Sequence, residues 1–448
     1  MTGLNPLKGF RDLYPKEKGV QNFIFEKIRG VARLLGYEEY DGPIVESMDL
    51  YENKSSKELL ERQTFQITSK KGNPLVLRPE MTPSLARMVA NKASDLTFPI
   101  KLFNIGPRFR YEAPQKGRSR EFYQADFDIL GTNSIVSDAE SIYTIINIFL
   151  DLGATEKDFI VYINSRVEME KYLIDLGFKK EQLKPLLNAI DKQDKLQKEE
   201  FIELLLEIEK NKTKVDALIK FLYTKRDEKS PYFLKLFSLL DTYGVSKYCQ
   251  INYNITRGLD YYTGIVFEVR EKNDKEPDLK RALLGGGRYD NLVSDLNKKL
   301  SIPGIGFALS DVVLVEFLQN KNLLPSDIVK PVSCLISVFN KETLNKSIEI
   351  SNFLREKGIS CELYQDENTK LDKQLKFADK KGIPFVLIIG PSEIKINKVK
   401  LKNMKTGEQN DVDKEELLKF LNIQSSFSTY SLSSSRMRGS ADSRSGRE

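Results

Sequence analysis

At 448 residues, 40% hydrophobic and 30% charged, the chain is long enough for two or three domains with sizeable cores. Its formal charge of +6 permits contact with nucleic acid without arguing for it, while the complete absence of histidine removes imidazole as base, nucleophile or metal ligand. Ser-His-Asp, Cys-His and most zinc chemistries are thereby excluded, which leaves carboxylates, arginines, lysines, tyrosines or a bound metal to run any reaction.

Residues 16–35 predict an amphipathic helix, with Val20, Ile24, Ile28, Val31 and Leu35 at helical spacing and Gly36 as its stop. An extended stretch follows over 37–47, broken by Gly42-Pro43. Strands are expected at 65–68, 74–77, 100–105 and 122–130 with helices interspersed, a pattern that predicts an antiparallel sheet rather than βαβ alternation. From about 179 to 242 the texture becomes long Lys/Glu-laced helical segments, read as a helical insertion. Strand character returns at Gln250.

The stretch 320–331 reads as a linker. Beyond it, strands at 332–338, 359–364, 385–389 and 399–404 alternate with helices at 341–357, 370–381 and 414–421, which predicts a small parallel or mixed α/β sheet. The expected organisation is an α+β domain over 1–325, an α/β domain over 332–422 and a disordered, Ser- and Arg-rich tail over 425–448. Cys249, Cys334 and Cys361 are widely spaced and read as free thiols. No apolar run approaches the ~20 residues needed to span a bilayer, and 1–16 lacks a targeting core, so a cytoplasmic protein without a membrane partner is expected.

The densest chemistry lies in Arg108-Phe109-Arg110-Tyr111-Glu112-Ala113-Pro114-Gln115-Lys116-Gly117-Arg118-Ser119-Arg120-Glu121-Phe122-Tyr123-Gln124. Arginines clustered on a Pro/Gly-containing loop between two strands suit a hairpin whose basic tip clamps a polyphosphate, with Phe122 placed to stack on a base. A second cluster, Arg257-Gly258-Leu259-Asp260-Tyr261-Tyr262-Thr263-Gly264, sets an arginine at the mouth of a strand, where its planar cation suits a carboxylate or phosphate. On an extended backbone its adjacent tyrosines would point to opposite faces, one lining a pocket and one packing behind. The run Gly285-Gly286-Gly287 is explained equally well by close strand packing.

These strings, in this order, resemble the histidyl-tRNA synthetases. Residues 108–128 resemble motif 2 of class II aminoacyl-tRNA synthetases in its histidyl form. Arg257 to Gly264 and Gly285 to Leu292 resemble the two histidine-specific signatures, Lys8 to Pro15 the N-terminal signature, and Leu77 to Thr82 the amino-acid-binding strand end. The resemblance implies a class II catalytic domain with a helical insertion and an α/β anticodon-binding domain. It implies an enzyme that activates L-histidine with ATP and transfers it to tRNA(His), with Mg²⁺ accompanying ATP and no dedicated protein metal site. By the same resemblance, histidine is held by Glu80, Met81, Thr82, Arg110, Gln124, Asp128, Arg257, Tyr261, Tyr262 and Tyr289. ATP is held by Arg110, Glu112, Arg118 and Phe122, and Arg110 and Arg257 carry catalysis. Motif 1, around Tyr40 to Ser47, implies a homodimer. The insertion implies a contact with the acceptor arm, and the lysines Lys395, Lys398, Lys400 and Lys402 imply contacts with tRNA phosphates.

One position departs from the family pattern. In Pro303 to Leu314, at the place of motif 3, Val313 stands where the family usually carries an arginine for the ATP γ-phosphate, with Arg118 or Arg288 as replacements. That departure keeps a second reading open, a non-catalytic synthetase-like regulatory subunit of ATP-phosphoribosyltransferase.

Overall fold

The computed structural model describes residues 4–52, 63–115, 117–193, 196–224, 230–256, 261–272, 282–326, 328 and 331–425, with side chains described to Leu421. Arg257, Lys116 and the tail beyond 425 lie outside these residues. The chain divides into two units, Met1–Ile328 and Val329–Glu448.

The first unit opens with helix α1 (Pro15–Leu34), short strands β1 (Glu38–Glu39) and β2 (Val45–Ser47), helix α2 (Asp49–Glu52), hairpin β3 (Phe65–Thr68) and β4 (Pro74–Leu77), and helix α3 (Thr82–Lys92). The long hairpin β5 (Ile100–Phe109) and β6 (Glu121–Leu130) leads into α4 (Ile135–Asp151) and β7 (Phe159–Ser165). Helices α5 (Arg166–Asp175), α6 (Lys180–Asp191), α7 (Lys198–Ile208), α8 (Lys212–Tyr223) and α9 (Pro231–Thr242) follow. The unit closes with β8 (Cys249–Ile251), β9 (Ile265–Glu271), β10 (Ala282–Arg288), α10 (Leu292–Leu296), β11 (Gly304–Ser310) and α11 (Asp311–Asn320).

Among the described residues, eight strands form one sheet in the order β1-β5-β6-β11-β10-β9-β7-β8, and β2-β4-β3 form a second. The internal pairs of the large sheet are antiparallel and only the two edge pairs, β1 with β5 and β7 with β8, are parallel. The fold class matches the antiparallel expectation. Strand β5 outruns its expected end at 105, because Gly106-Pro107 reads as a break in sequence. In fact the ladder continues through Pro107↔Tyr123 to Phe109↔Glu121. Proline is tolerated there because β1 pairs with β5 only at Leu102 and Phe103, so no ladder bond is forfeited on that side.

Strand alternation divides β6 into two functional faces. Ala125, Phe127 and Ile129 enter the main core, where the Phe127 ring stacks on Phe307 at 5.0 Å and on Phe103 at 5.4 Å. Burying each such ring contributes about 1.5–3 kcal/mol. That apolar anchorage holds Gln124, Asp126 and Asp128 on the opposite face. Helix α1 covers the core side through Ile24, Ile28 and Val31, as its spacing predicts. Helices α5 to α8 share a separate core through Leu173, Leu186, Phe201, Leu205 and Leu218, whereas α9 sets Phe233, Leu236 and Leu240 into the main one.

In the second unit, β12 (Cys334–Ile336), α12 (Lys341–Glu356), β13 (Cys361–Leu363), α13 (Leu371–Lys380), β14 (Phe385–Ile388), α14 (Pro391–Lys395), β15 (Val399–Asn403), β16 (Gln409–Val412) and α15 (Lys414–Ser425) follow in turn. The sheet order β13-β12-β14-β15-β16 is mixed, parallel through β14 and antiparallel thereafter. Strand β16 escapes the sequence reading because only Val412 of its four residues is buried, which leaves no apolar alternation to detect. Lys400 is paired with Glu393 at 2.9 Å rather than extended into solvent.

Candidate active site

The pairing register places Asp126, Ala308, Gly285 and Glu268 in one row across β6, β11, β10 and β9. Residues directly opposite in register share a sheet face. The two middle strands therefore present almost no side chain between two carboxylates, and a trough opens over them. Two compartments occupy it, sharing Arg110, Gln124, Gly285 and Ala308 on their walls.

The smaller, of about 200 Å³, is lined by Glu80, Thr82, Gln124, Asp126, Tyr261, Tyr262 and Tyr289 around Arg110. Tyr261 donates its hydroxyl to Glu80 Oε2 at 3.3 Å. Gln124 is buried, and its Oε1 has no hydrogen-bond partner. A buried acceptor left unmade costs about 1–3 kcal/mol, so such an atom in a cavity wall points to a donor on a ligand. Met81 and Asp128 do not line this compartment. Met81 is fully buried beneath it, against the Arg78 guanidinium. Asp128 lies behind Tyr289, whose hydroxyl donates to Asp128 Oδ1, while Oδ2 is buried without a partner.

The larger compartment, of about 350 Å³, holds Arg110, Glu112, Arg118 and Phe122 from the β5–β6 hairpin. Arg118 reaches Glu112 at 3.3 Å from an exposed position. Arg110 donates from Nε to the Pro79 carbonyl at 3.0 Å, and its guanidinium lies 5.4 Å from the Phe122 ring centroid. The other wall carries Asn254, Thr256, Glu268 and Arg270, and Val313 lines the same space. Not every arginine here is available. Arg108 is fully buried on Asp126 at 2.8 Å and Asn104 at 2.6 Å, and Arg78 is fully buried on Asp41 at 2.8 Å and the Gly42 carbonyl. Those two hold the floor.

A family model described as histidyl-tRNA synthetase matches residues 9–312, across both compartments. The chain belongs to the histidyl-tRNA synthetase family. A second model, described as an anticodon binding domain, matches residues 333–423. Among curated relatives, the histidine–tRNA ligase of Leptospira biflexa is 35% identical over 414 residues, covering 90% of this chain and 93% of that protein. That of Thermococcus kodakarensis is 35% identical over 443 residues, covering 94% and 99%. Among solved structures, the histidyl-tRNA synthetase of Nostoc sp. PCC 7120 superposes with a TM-score of 0.78 at 24% identity over 95% of this chain and all of that one. The apo Staphylococcus aureus enzyme gives 0.69 at 25% identity over 94% of this chain and all of that one.

Within this histidyl-tRNA synthetase fold, four sequence expectations need correction, the first being Met81, which is buried outside the compartment it was expected to line. Both tyrosines of the pair line the small compartment, with rings 4.9 Å apart. They precede β9 in a turn, so strand alternation does not act on them. Arg288 does not serve the nucleotide side. It is buried, donating from Nε to Asp138 Oδ1 at 3.1 Å and from Nη1 to the Thr132 carbonyl at 2.9 Å, which ties β10 to the start of α4. Asp128 stands behind the cavity wall, as described above. Sequence reasoning also missed Asp311 at the start of α11, which ties the N-terminal segment and α1 to β6. Its carboxylate accepts from Arg11 at 2.9 Å, Gln21 at 2.9 Å and the Tyr123 backbone amide at 3.0 Å. Only an acid beside the motif 3 strand hinted at it.

Burial pushes the Asp128 carboxyl up to about 8, partly offset by the Tyr289 hydroxyl and reinforced by the negative charge of Asp126. A carboxyl whose folded value lies above its unfolded value of about 4 stabilises the fold at low pH, and that contribution is lost as pH rises from about 4 to about 8. Asp128→Asn is expected to gain on wild type by on the order of 4 kcal/mol between pH 5 and pH 8. Thermal melts at pH 5 and pH 8 check it, and a constant offset between the two proteins would sink the assignment.

Proposed function

We propose that this chain is a histidine–tRNA ligase that joins L-histidine to ATP, forming histidyl-adenylate and pyrophosphate, and then passes the histidyl group to tRNA(His). The observation that carries this reading is the pair of compartments meeting at Arg110. One is small, acidic and tyrosine-lined. The other is larger, arginine-lined and roofed by Phe122.

The chemistry suits a histidine-free protein. The nucleophile is the substrate's own carboxylate, ionised at neutral pH, so the first step needs no general base. It attacks the α-phosphorus, the bond to the bridging oxygen breaks, and pyrophosphate leaves. The protein's work is orientation and neutralisation of charge at the α-phosphate. Arg110 takes that position from the hairpin. Arg257 holds the substrate carboxylate from the histidyl signature, as the family resemblance implies. Glu80, Thr82 and Gln124 hold the ammonium group, a role supported by the unpartnered Gln124 Oε1. Tyr262 and Tyr289 face the imidazole, and Asp128 fixes the Tyr289 hydroxyl from behind the wall. In the second step a ribose hydroxyl at the tRNA 3′ end attacks the adenylate carbonyl and AMP leaves.

Mg²⁺ arrives with ATP as part of the substrate. Among the described residues no cluster of three or more acidic or sulfur side chains could hold a resident metal, while Glu112 on the compartment wall would offer an oxygen ligand. Arg118 is proposed for the distal phosphates and Phe122 for stacking on adenine. A homodimer through the Tyr40 to Ser47 region is proposed, supported by the exposed Ile44, Val45 and Ile67 on and beside the small sheet. The second unit and the helical insertion are proposed to contact tRNA. The cytoplasm is the proposed setting. No helix among the described residues is long and apolar enough to cross a membrane.

Amino-acid-dependent ATP–pyrophosphate exchange across all twenty amino acids tests this reading. Exchange with histidine alone is expected. Histidine binding without exchange would overturn it in favour of the non-catalytic regulatory reading, which Val313 alone favours.

A further inference from the structure

The larger compartment contains a second arginine–carboxylate pair that no sequence motif marks. Opposite Arg118–Glu112, strand β9 presents Arg270, whose Nε donates to Glu268 Oε1 at 2.7 Å, with both side chains mostly buried. The register pairs Arg270 with Ala282 on β10 and Glu268 with Gly285, and both side chains themselves line the compartment. Val313, on a third wall, contributes no charge. A polyphosphate entering here carries several negative charges, and an arginine already desolvated beside one carboxylate can exchange that partner for phosphate oxygens at low cost in solvation.

We propose that Arg270 is a nucleotide-binding residue that grips the distal phosphates of ATP, exchanging Glu268 for them on binding. It thereby supplies from β9 the cation that position 313 lacks. This rests on the ligase reading for its substrate. It adds a residue and a strand to the site, and it makes the Arg270–Glu268 pair the resting state of a phosphate clamp.

Removing Arg270 alone is ambiguous, because it leaves Glu268 as an uncompensated negative charge that would repel ATP by itself. The test is therefore a cycle of Arg270→Gln, Glu268→Gln and the double variant, together with Arg270→Lys. ATP and AMP binding are measured by calorimetry, with histidine-dependent exchange followed on the same preparations. Arg270→Gln and the double variant are each expected to bind ATP at least about tenfold more weakly while AMP binding stays within about twofold; a charged hydrogen-bond pair carries that much. Arg270→Lys should recover part of the loss, and it keeps the test open if a glutamine variant fails to fold. Recovery of ATP affinity in the double variant would overturn the proposal, since the whole effect would then belong to Glu268. An equal loss for AMP and ATP would also overturn it. If wild type binds ATP with this dependence on Arg270 but shows no exchange, the clamp stands and the ligase reading fails.

Discussion

Replacing Arg110 with alanine is expected to lower kcat for histidine-dependent exchange by at least about 100-fold, the usual cost of removing one preorganised donor from a developing charge. Arg110 is a wall residue of both compartments, so a group held there faces the carboxylate on one side and the α-phosphate on the other. Its plane is already set by the Nε bond to the Pro79 carbonyl at 3.0 Å and by the Phe122 ring, which leaves the terminal nitrogens for substrate without further ordering. Lysine should rescue poorly, since one point charge cannot keep the Pro79 contact and bridge two phosphate oxygens together. Stability should change little, because the buried floor is held by Arg78 and Arg108 instead. Single-turnover adenylate formation alongside a thermal melt checks both halves. A loss below about fivefold would remove Arg110 from the reacting centre.

Much of this site was legible through its resemblance to the family's motifs, and the alternation of strand residues agrees with it. In Gln124-Ala125-Asp126-Phe127-Asp128 the apolar residues declare a core face and the polar ones a functional face, and the structure keeps that division. The α/β alternation of the second unit was legible for the same reason, through helix and strand periods that do not mix. What escaped depends on partners distant in sequence. Nothing local distinguishes Arg110, which faces the trough, from Arg108, two residues earlier, which is consumed by Asp126. Arg288 likewise looks available until Asp138, 150 residues away, is brought beside it. Arg270 was invisible because an arginine following Glu268-Val269 in a strand is ordinary; only pairing through β10 sets it on the compartment wall. The tyrosine pair misled because the alternation rule was applied to a turn.

Gly306→Ala is expected to damage histidine use, although glycine offers no chemistry. A Cβ at this point of β11 would stand 2.6 Å from the Phe127 carbonyl oxygen and 3.0 Å from Asp128 Cγ, and closer still to Asp128 Oδ1. The Phe127 oxygen belongs to the β6 backbone in the middle of the antiparallel ladder, so it cannot retreat without parting two central strands. The Asp128 carboxylate can retreat only by leaving the Tyr289 hydroxyl, which would release a tyrosine that lines the histidine compartment. Overpacking of this kind costs about 1–3 kcal/mol, and in a unit of this size each kcal/mol lowers Tm by roughly 1–2 °C. The histidine KM should rise by at least about tenfold, as expected when a buried hydrogen-bonding group is displaced. Gly30→Ala supplies the contrast. It lies within α1 with nothing within 4 Å of the added carbon, so alanine there should be neutral or stabilising by up to about 1 kcal/mol. Melting curves and histidine KM for the two variants separate the effects. If Gly306→Ala melts with wild type and keeps its KM, then β6 and β11 are not locked at this crossing, and the histidine side of the site is softer than the close approach of the two strands requires.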